Sequence, residues 1–208
     1  MSVPIAPKFV VIDDLLPGYV LAGIDAHVMA NPDALELKDF GGSPQEGHYS
    51  ALRRLWVHRN ALGPHETAFC GAIKKHLDQI FGGAGIEPFE IARMEIEVCA
   101  QRPGSFFAKH IDTDTRDIVG STSSDRIISV VFYFPREPLA FTGGELIFYD
   151  FTGKVATGTV APRRNRSVAF PSFAAHEVTQ LMGADDHPEN ARWSVNCWLH
   201  RARKGEQN

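Results

Sequence analysis

The clearest periodicity in the chain lies between residues 91 and 98. Ala92, Met94, Ile96 and Val98 alternate with Arg93, Glu95 and Glu97, the period of two that marks a strand with one buried face. Further short runs of strand character follow at 105–112, 127–135, 144–151, 157–161, 166–171, 174–181 and 191–200, with turn residues and no helical pattern between them. Such a succession predicts a β-sandwich or barrel. Upstream the period lengthens. Pro17 opens a stretch in which Val20, Leu21, Ile24 and Val28 recur at helical spacing, after a short β-prone run at 8–13. Pro64 opens a second helix, predicted to reach about Phe81, striped by Ala68, Phe69, Ala72, Ile73, Leu77, Ile80 and Phe81 and stopped by Gly82-Gly83. Residues 31–62 carry no clear period. Gly41-Gly42-Ser43-Pro44 reads as a loop there, and His48, Tyr49 and Trp56 either reach a site or pack. The expected architecture is mainly β with N-terminal helices (α+β). Residues 1–90 supply a strand and supporting helices, packed on a core at 91–203 as one structural unit.

Composition narrows the function classes. An apolar fraction of 44% supports a full core, and a formal charge of −4 gives no general attraction to nucleic acid. Cys70, Cys99 and Cys197 lie far apart and form no C-x-x-C pair, which argues against a disulfide framework or a zinc–thiolate site and for a reducing compartment. No stretch is long and apolar enough for a membrane span, and the N-terminal residues lack a signal-peptide pattern. The sequence therefore predicts a soluble cytoplasmic protein.

The candidate chemistry centres on His110-Ile111-Asp112. On a strand, side chains at i and i+2 point to one face, so an imidazole and a carboxylate can converge on one metal. A second histidine, His176, follows the apolar run Val168-Ala169-Phe170-Pro171 and would complete a two-histidine, one-carboxylate face with open positions, the arrangement non-haem Fe(II) oxygenases use. Alternation along 192–198 puts Arg192, Ser194, Asn196 and Trp198 on one strand face. A buried arginine needs an anionic partner, and a dicarboxylate would supply one. Each residue also has an ordinary reading on its own. His110 with Asp112 can be a strand-end hydrogen-bonded pair, His176 and Tyr133 plain core, and Arg192 the partner of a structural carboxylate. Trp193 and Trp198 are expected to pack, and the basic run at 162–166 to be a solvated turn.

Taken together, the Pro103-Gly104 turn, His110-Ile111-Asp112, Arg126 with Tyr133, Gly143-Gly144-Glu145-Leu146, His176-Glu177-Val178 and Arg192 resemble the Fe(II)/2-oxoglutarate-dependent dioxygenases, and within them the prolyl-4-hydroxylase-like branch. The resemblance covers roughly residues 91–200, and the opening strand and helix at 9–17 are similar as well. It implies a double-stranded β-helix, or jelly roll, and cofactor chemistry with Fe(II), 2-oxoglutarate and O2, for which ascorbate is a supporting reductant. His110, Asp112 and His176 match the iron ligands. Arg192 and Tyr133 match the residues that hold the distal carboxylate of 2-oxoglutarate. Asn196 or Ser194 matches a polar residue near it, and Leu146 and Val178 match apolar walls of the pocket. The carboxylate Asp112 favours hydroxylation over halogenation, since halogenating relatives replace it by a small residue. The implied substrate is a prolyl or other amino-acid side chain, free, in a peptide or in a protein.

Two departures accompany the resemblance. Gln101 stands where many relatives have the tyrosine of Tyr-x-Pro-Gly, and Arg192 follows His176 at longer spacing than the branch usually shows. The second departure predicts a polar surface insertion at 183–190, which makes His187 a competing distal ligand. The polar loop at 113–125 is a candidate cover for the site. Two other readings stay open at this level: the nucleic-acid dealkylating branch, which the strand around Arg192 and Asn196 partly resembles, and a jelly-roll or cupin-like module holding another divalent metal.

Overall fold

Residues 5–37, 55–59, 61–113, 124–183 and 187–203 are described by the structure, a computed structural model. In chain order the strands and helices are β1 (Val10–Ile12), α1 (Gly18–Ala30), β2 (Leu35–Leu37), β3 (Trp56–His58), α2 (Glu66–Lys75), α3 (Leu77–Ala84), β4 (Arg93–Gln101), β5 (Phe107–His110), β6 (Ser124–Tyr133), β7 (Phe141–Thr142), β8 (Leu146–Tyr149), β9 (Ala156–Val160), β10 (Arg166–Pro171), β11 (His176–Val178), β12 (Met182–Gly183) and β13 (Arg192–Ala202). Three single 3-10 turns, at Pro32–Ala34, Gly63–His65 and Pro188–Asn190, punctuate the connections.

The strands form a seven-stranded sheet in the order β1-β10-β6-β13-β4-β3-β2, a four-stranded sheet in the order β5-β11-β8-β9, and a β12-β7 pair. The pairings within these sheets are antiparallel. This is the double-stranded β-helix. Period-two alternation explains how one sheet serves two cores. Trp193, Val195, Cys197 and Leu199 of β13 face the helices, together with Val130 and Phe132 of β6 and Val98 and Ala100 of β4. The opposite face carries Val131 and Tyr133, which meet Leu146, Phe148, Val160, Val168 and Phe170 from the interior of the roll. The α1 stripe expected from spacing, Val20, Leu21, Ile24 and Val28, is buried against the first core. Each such side chain contributes about 1.5–3 kcal/mol through burial.

Several local expectations are corrected. The second helix is not continuous from Pro64 to Phe81. It breaks at His76, whose backbone leaves helical geometry and whose Nδ1 bonds the Ala72 carbonyl. Nor do Gly82 and Gly83 stop it. The chain stays helical to Ala84 and ends at Gly85, which has φ +68° and sends its N–H back to Gly82. Gly83 instead permits close approach to β1, because a Cβ there would lie 2.4 Å from Val10. The unread stretch at 31–62 supplies β2 and β3 to one edge of the large sheet, while His48 and Tyr49 lie outside the described residues. Most of the 113–125 loop lies outside them too, and β6 already begins at Ser124. In the 183–190 segment, Gly183 pairs with Phe141, and Pro188–Asn190 is a 3-10 turn. Residues 184–186 lie outside the described residues.

Candidate metal and co-substrate site

The antiparallel register of the smaller sheet sets His176, the first residue of β11, directly opposite His110, the last residue of β5. Their ring centroids are 4.2 Å apart. Each ring is fixed by the same device. His110 Nδ1 bonds the Ala108 carbonyl at 2.8 Å, and His176 Nδ1 bonds the Ala174 carbonyl at 2.9 Å. A carbonyl only accepts, so both Nδ1 atoms carry the proton and both Nε2 atoms present a lone pair. That is the tautomer a metal ligand needs.

Asp112 is held differently from the expectation. It does not share a strand face with His110, because β5 ends at His110 and the chain bends there. The N–H groups of Asp112 and Thr113 both donate to the Ser172 carbonyl, at 2.8 and 3.1 Å. Ser129 of β6 donates its hydroxyl to Asp112 Oδ2 at 2.7 Å and contacts Ser172 Oγ at 3.0 Å. Oδ1 is thereby turned toward the imidazoles, 3.4 Å from His110 Nε2 and 3.8 Å from His176 Nε2. Three ligand atoms, all within 4.8 Å of one another, converge from two strands and a bend. A first-row ion with bonds of about 2.0–2.2 Å bridges such spans. Burial would raise the Asp112 pKa, but the His176 and His110 rings in their protonated forms and the Ser129 hydroxyl outweigh it and hold the carboxyl well below the usual carboxylate range. The group is an anion throughout the neutral range. His187 takes no part in this cluster; it is an exposed residue whose Nδ1 accepts the Glu189 N–H.

Behind the triad lies a second polar cluster. Arg192 opens β13 and is only 2% exposed. Its Nε donates to the Gly144 carbonyl at 2.8 Å and its Nη1 to Gln101 Oε1 at 2.5 Å, while the guanidinium lies 4.8 Å from the Tyr133 ring centroid. Gly144 has φ +75°, and a Cβ there would lie 2.7 Å from Arg192 Cδ. The Gly143-Gly144 turn is thus required both by its backbone and by the arginine packed on it. Arg192 Nη2 and Tyr133 Oη are buried and have no hydrogen-bond partner among the described residues. Burial lowers the Arg192 pKa, with Tyr133 opposing, and burial raises that of Tyr133, with Arg192 opposing. At neutral pH the pair is a cation beside a neutral phenol.

The other expected pocket residues surround this cluster. Leu146 and Val178 are directly opposed on β8 and β11 and pack in the roll interior with Tyr133. Ser194 sits opposite both Tyr133 and Cys99. Asn196, one step further along the same face, points its amide at Cys99 Sγ, 3.5 Å away. Arg126 is engaged elsewhere, paired with Glu95 and stacked 3.9 Å over Trp198. Ser129, Ser172, Gly144 and Gln101 were not singled out as site residues by the sequence. Ser129 had a signal, since it precedes Tyr133 by an even number of residues and shares its face. Its contact with Asp112 depends on where the chain bends after His110, which no local pattern encodes.

A family model described as the 2OG-Fe(II) oxygenase superfamily matches residues 91–200, the span that contains all of these side chains. The chain belongs to this superfamily. It is 31% identical over 136 residues to an uncharacterized PKHD-type hydroxylase of Synechocystis sp., a match that covers 62% of this chain and 43% of the relative. The chain therefore spans less than half the length of that relative. Among solved structures it resembles a prolyl-4-hydroxylase of Pseudomonas putida, with TM-score 0.66 and 19% identity over 96% of this chain and 94% of the other. It also resembles a Trichoplax adhaerens prolyl hydroxylase solved with a hypoxia inducible factor oxygen degradation domain peptide, with TM-score 0.64 and 15% identity over 93% and 83%. A viral collagen prolyl hydroxylase from Paramecium Bursaria Chlorella virus-1, solved with 2OG, follows at TM-score 0.57 and 17% identity, covering 93% and 96%. At these identities the likeness establishes the shared fold.

Proposed function

We propose that this member of the superfamily is an Fe(II)- and 2-oxoglutarate-dependent hydroxylase of an unactivated C–H bond, on a prolyl or other amino-acid side chain. The observation that carries the reading is the convergence of two Nε2 lone pairs and the Asp112 carboxylate, with both Nδ1 protons already committed to backbone carbonyls. Three protein ligands on one side leave the remaining positions of an Fe(II) ion for exchangeable groups. The unpartnered Arg192 Nη2 and Tyr133 Oη fit the second component, since both are donors and an anionic carboxylate is what they lack.

When bound, Fe(II) and 2-oxoglutarate supply the oxidising chemistry: O2 and 2-oxoglutarate are consumed, succinate and carbon dioxide leave, and one oxygen atom enters the substrate C–H bond. The chain's own contribution is position and charge. His110, His176 and Asp112 hold the metal, with Ser129 fixing the carboxylate that would otherwise rotate. Arg192 and Tyr133 receive the distal carboxylate of the co-substrate. Leu146 and Val178 wall that pocket with apolar surface, where low polarity strengthens the charge pairing. Ser194 and Asn196 line the same strand face. Asp112, as the one anionic ligand of the three, favours hydroxylation.

For the substrate, an amino acid, peptide or protein is the reading supported by the prolyl hydroxylase neighbours, one of which is solved with a peptide. Cys70, Cys99 and Cys197 form no disulfide among the described residues, which fits a reducing, cytoplasmic setting, and no helix among the described residues is long and apolar enough to cross a membrane. The test is an anaerobic-to-aerobic assay with Fe(II), 2-oxoglutarate and ascorbate. Succinate is quantified, and candidate amino acids and proline-containing peptides are searched by mass spectrometry for a product heavier by one oxygen. Absence of succinate formation in iron-loaded protein, with every substrate class and without substrate, refutes the reaction class.

A further inference from the structure

We propose that Gln101 positions Arg192 for the co-substrate and, by being an amide rather than an acid, leaves the guanidinium charge available to it. The proposal rests on the reading of Arg192 as the co-substrate's partner and concerns how this particular chain prepares it. Gln101 is the last residue of β4, itself 2% exposed, and the β4–β13 register sets it directly opposite Arg192. Arginine has donors only, so the amide must present its oxygen. The contact is a cross-strand pair within one sheet, so its geometry is set by the two backbones rather than by a loop.

The hydrogen bonds of Arg192 bring it no counter-charge. Both of its acceptors, Gln101 Oε1 and the Gly144 carbonyl, are neutral. Among the described residues no carboxylate forms an ion pair with it. Glu145, next to Gly144 in sequence, accepts the Thr179 hydroxyl at 2.5 Å and acts on Arg192 only as a through-space charge. A buried cation held by two neutral oxygens, with Nη2 open beside the open hydroxyl of Tyr133, is an anion site with one carboxylate missing. A glutamate in place of Gln101, nearly identical in shape, would complete the ion pair internally and close the site. The amide gives the orientation without the neutralisation.

The experiment uses the full-length protein loaded with Mn(II). Wild type, Gln101→Glu and Gln101→Leu are titrated with 2-oxoglutarate by calorimetry, and their melting temperatures are measured without co-substrate. Gln101→Glu is expected to melt higher than wild type, because the buried arginine gains a counter-charge, yet to bind 2-oxoglutarate at least about thirtyfold more weakly. Its Mn(II) affinity should match wild type. Gln101→Leu is expected to melt lower and to bind 2-oxoglutarate about tenfold more weakly, since Nη1 loses its acceptor and the guanidinium its anchor. A purely structural glutamine would not give a variant that is more stable and blind to co-substrate. Gln101→Glu binding 2-oxoglutarate as tightly as wild type overturns the proposal. If that variant fails to fold, an unchanged affinity in Gln101→Leu overturns it instead. Wild-type protein that takes up Mn(II) but not 2-oxoglutarate removes the co-substrate reading itself, a result distinct from either.

Discussion

Replacing Ser129 by alanine tests the construction of the metal site at a residue the sequence did not single out. The substitution removes one oxygen and leaves the strand intact. Ser129 Oγ donates at 2.7 Å to Asp112 Oδ2, a bond to a charged, part-buried carboxylate and so worth about 1.5–3 kcal/mol. The backbone of Asp112 stays anchored through its N–H to the Ser172 carbonyl. What is lost is the orientation of the carboxylate plane, and with it the aim of Oδ1 at the two Nε2 atoms. Hydrogen-bond partners that orient a ligand typically govern metal affinity by about ten- to a hundredfold, and that loss is the expectation for Ser129→Ala. The metal-free protein should also melt about 2–4 °C lower for each kcal/mol of the lost bond. Anaerobic titration with Fe(II) or Co(II), followed by their weak visible bands, measures the affinity. Calorimetry with 2-oxoglutarate then reports whether the Arg192 pocket is untouched, as it should be once metal is saturating. Equal metal affinity in Ser129→Ala and wild type would refute the idea that this hydroxyl sets the ligand, whatever the effect on melting.

The remaining expectations are more direct. His110→Ala, Asp112→Ala and His176→Ala should each stay folded, bind Fe(II) poorly and make no succinate, whereas His187→Ala keeps both properties; metal titration with succinate analysis decides, and the reverse pattern would move the triad. Arg192→Ala should weaken 2-oxoglutarate binding by about 2–5 kcal/mol with little change in metal affinity, read as a rise in co-substrate KM. Gly144→Ala should act in the same direction without touching any charge, because its Cβ would collide with Arg192 Cδ in a backbone conformation of φ +75°. For pH, burial would raise the Glu95 pKa, but Arg126 and then His200 outweigh it and bring it below its ordinary value of 4.5. Its stabilisation is therefore fully present above the unfolded value and lost as pH falls through the lowered folded one. Glu95→Gln should melt lower than wild type at neutral pH, and the gap should narrow only below about pH 4.5; a gap independent of pH would deny the carboxylate this role.

Local pattern determined a good deal of this protein. Period two placed the faces of β4 and β13, because a strand's side chains alternate whatever surrounds it, and this put Arg192, Ser194, Asn196 and Trp198 on one side before any contact was known. Helical spacing found the buried stripe of α1 for the same reason. Where two chemistries competed locally, pattern failed. Gly82-Gly83 looked like a stop signal, but helix α3 runs through them, and at Gly83 the absent side chain lets β1 approach, a fact that belongs to Val10, far away in the chain. The stripe from Ala68 to Phe81 looked like one continuous helix, yet the helix breaks at His76. Two strands of three residues, β2 and β3, carry too few positions to show a period and are held by their partners in the sheet. The site divides along the same line. The triad's residue types and order were legible, as was the need of a buried arginine for an anion. Tertiary structure alone decided that Asp112 lies past the end of β5, that Ser129 and Ser172 aim it, and that the acceptor facing Arg192 is an uncharged amide. Those are contacts between residues remote in sequence, set by the register of strands, and register is a property of the assembled sheets rather than of any segment within them.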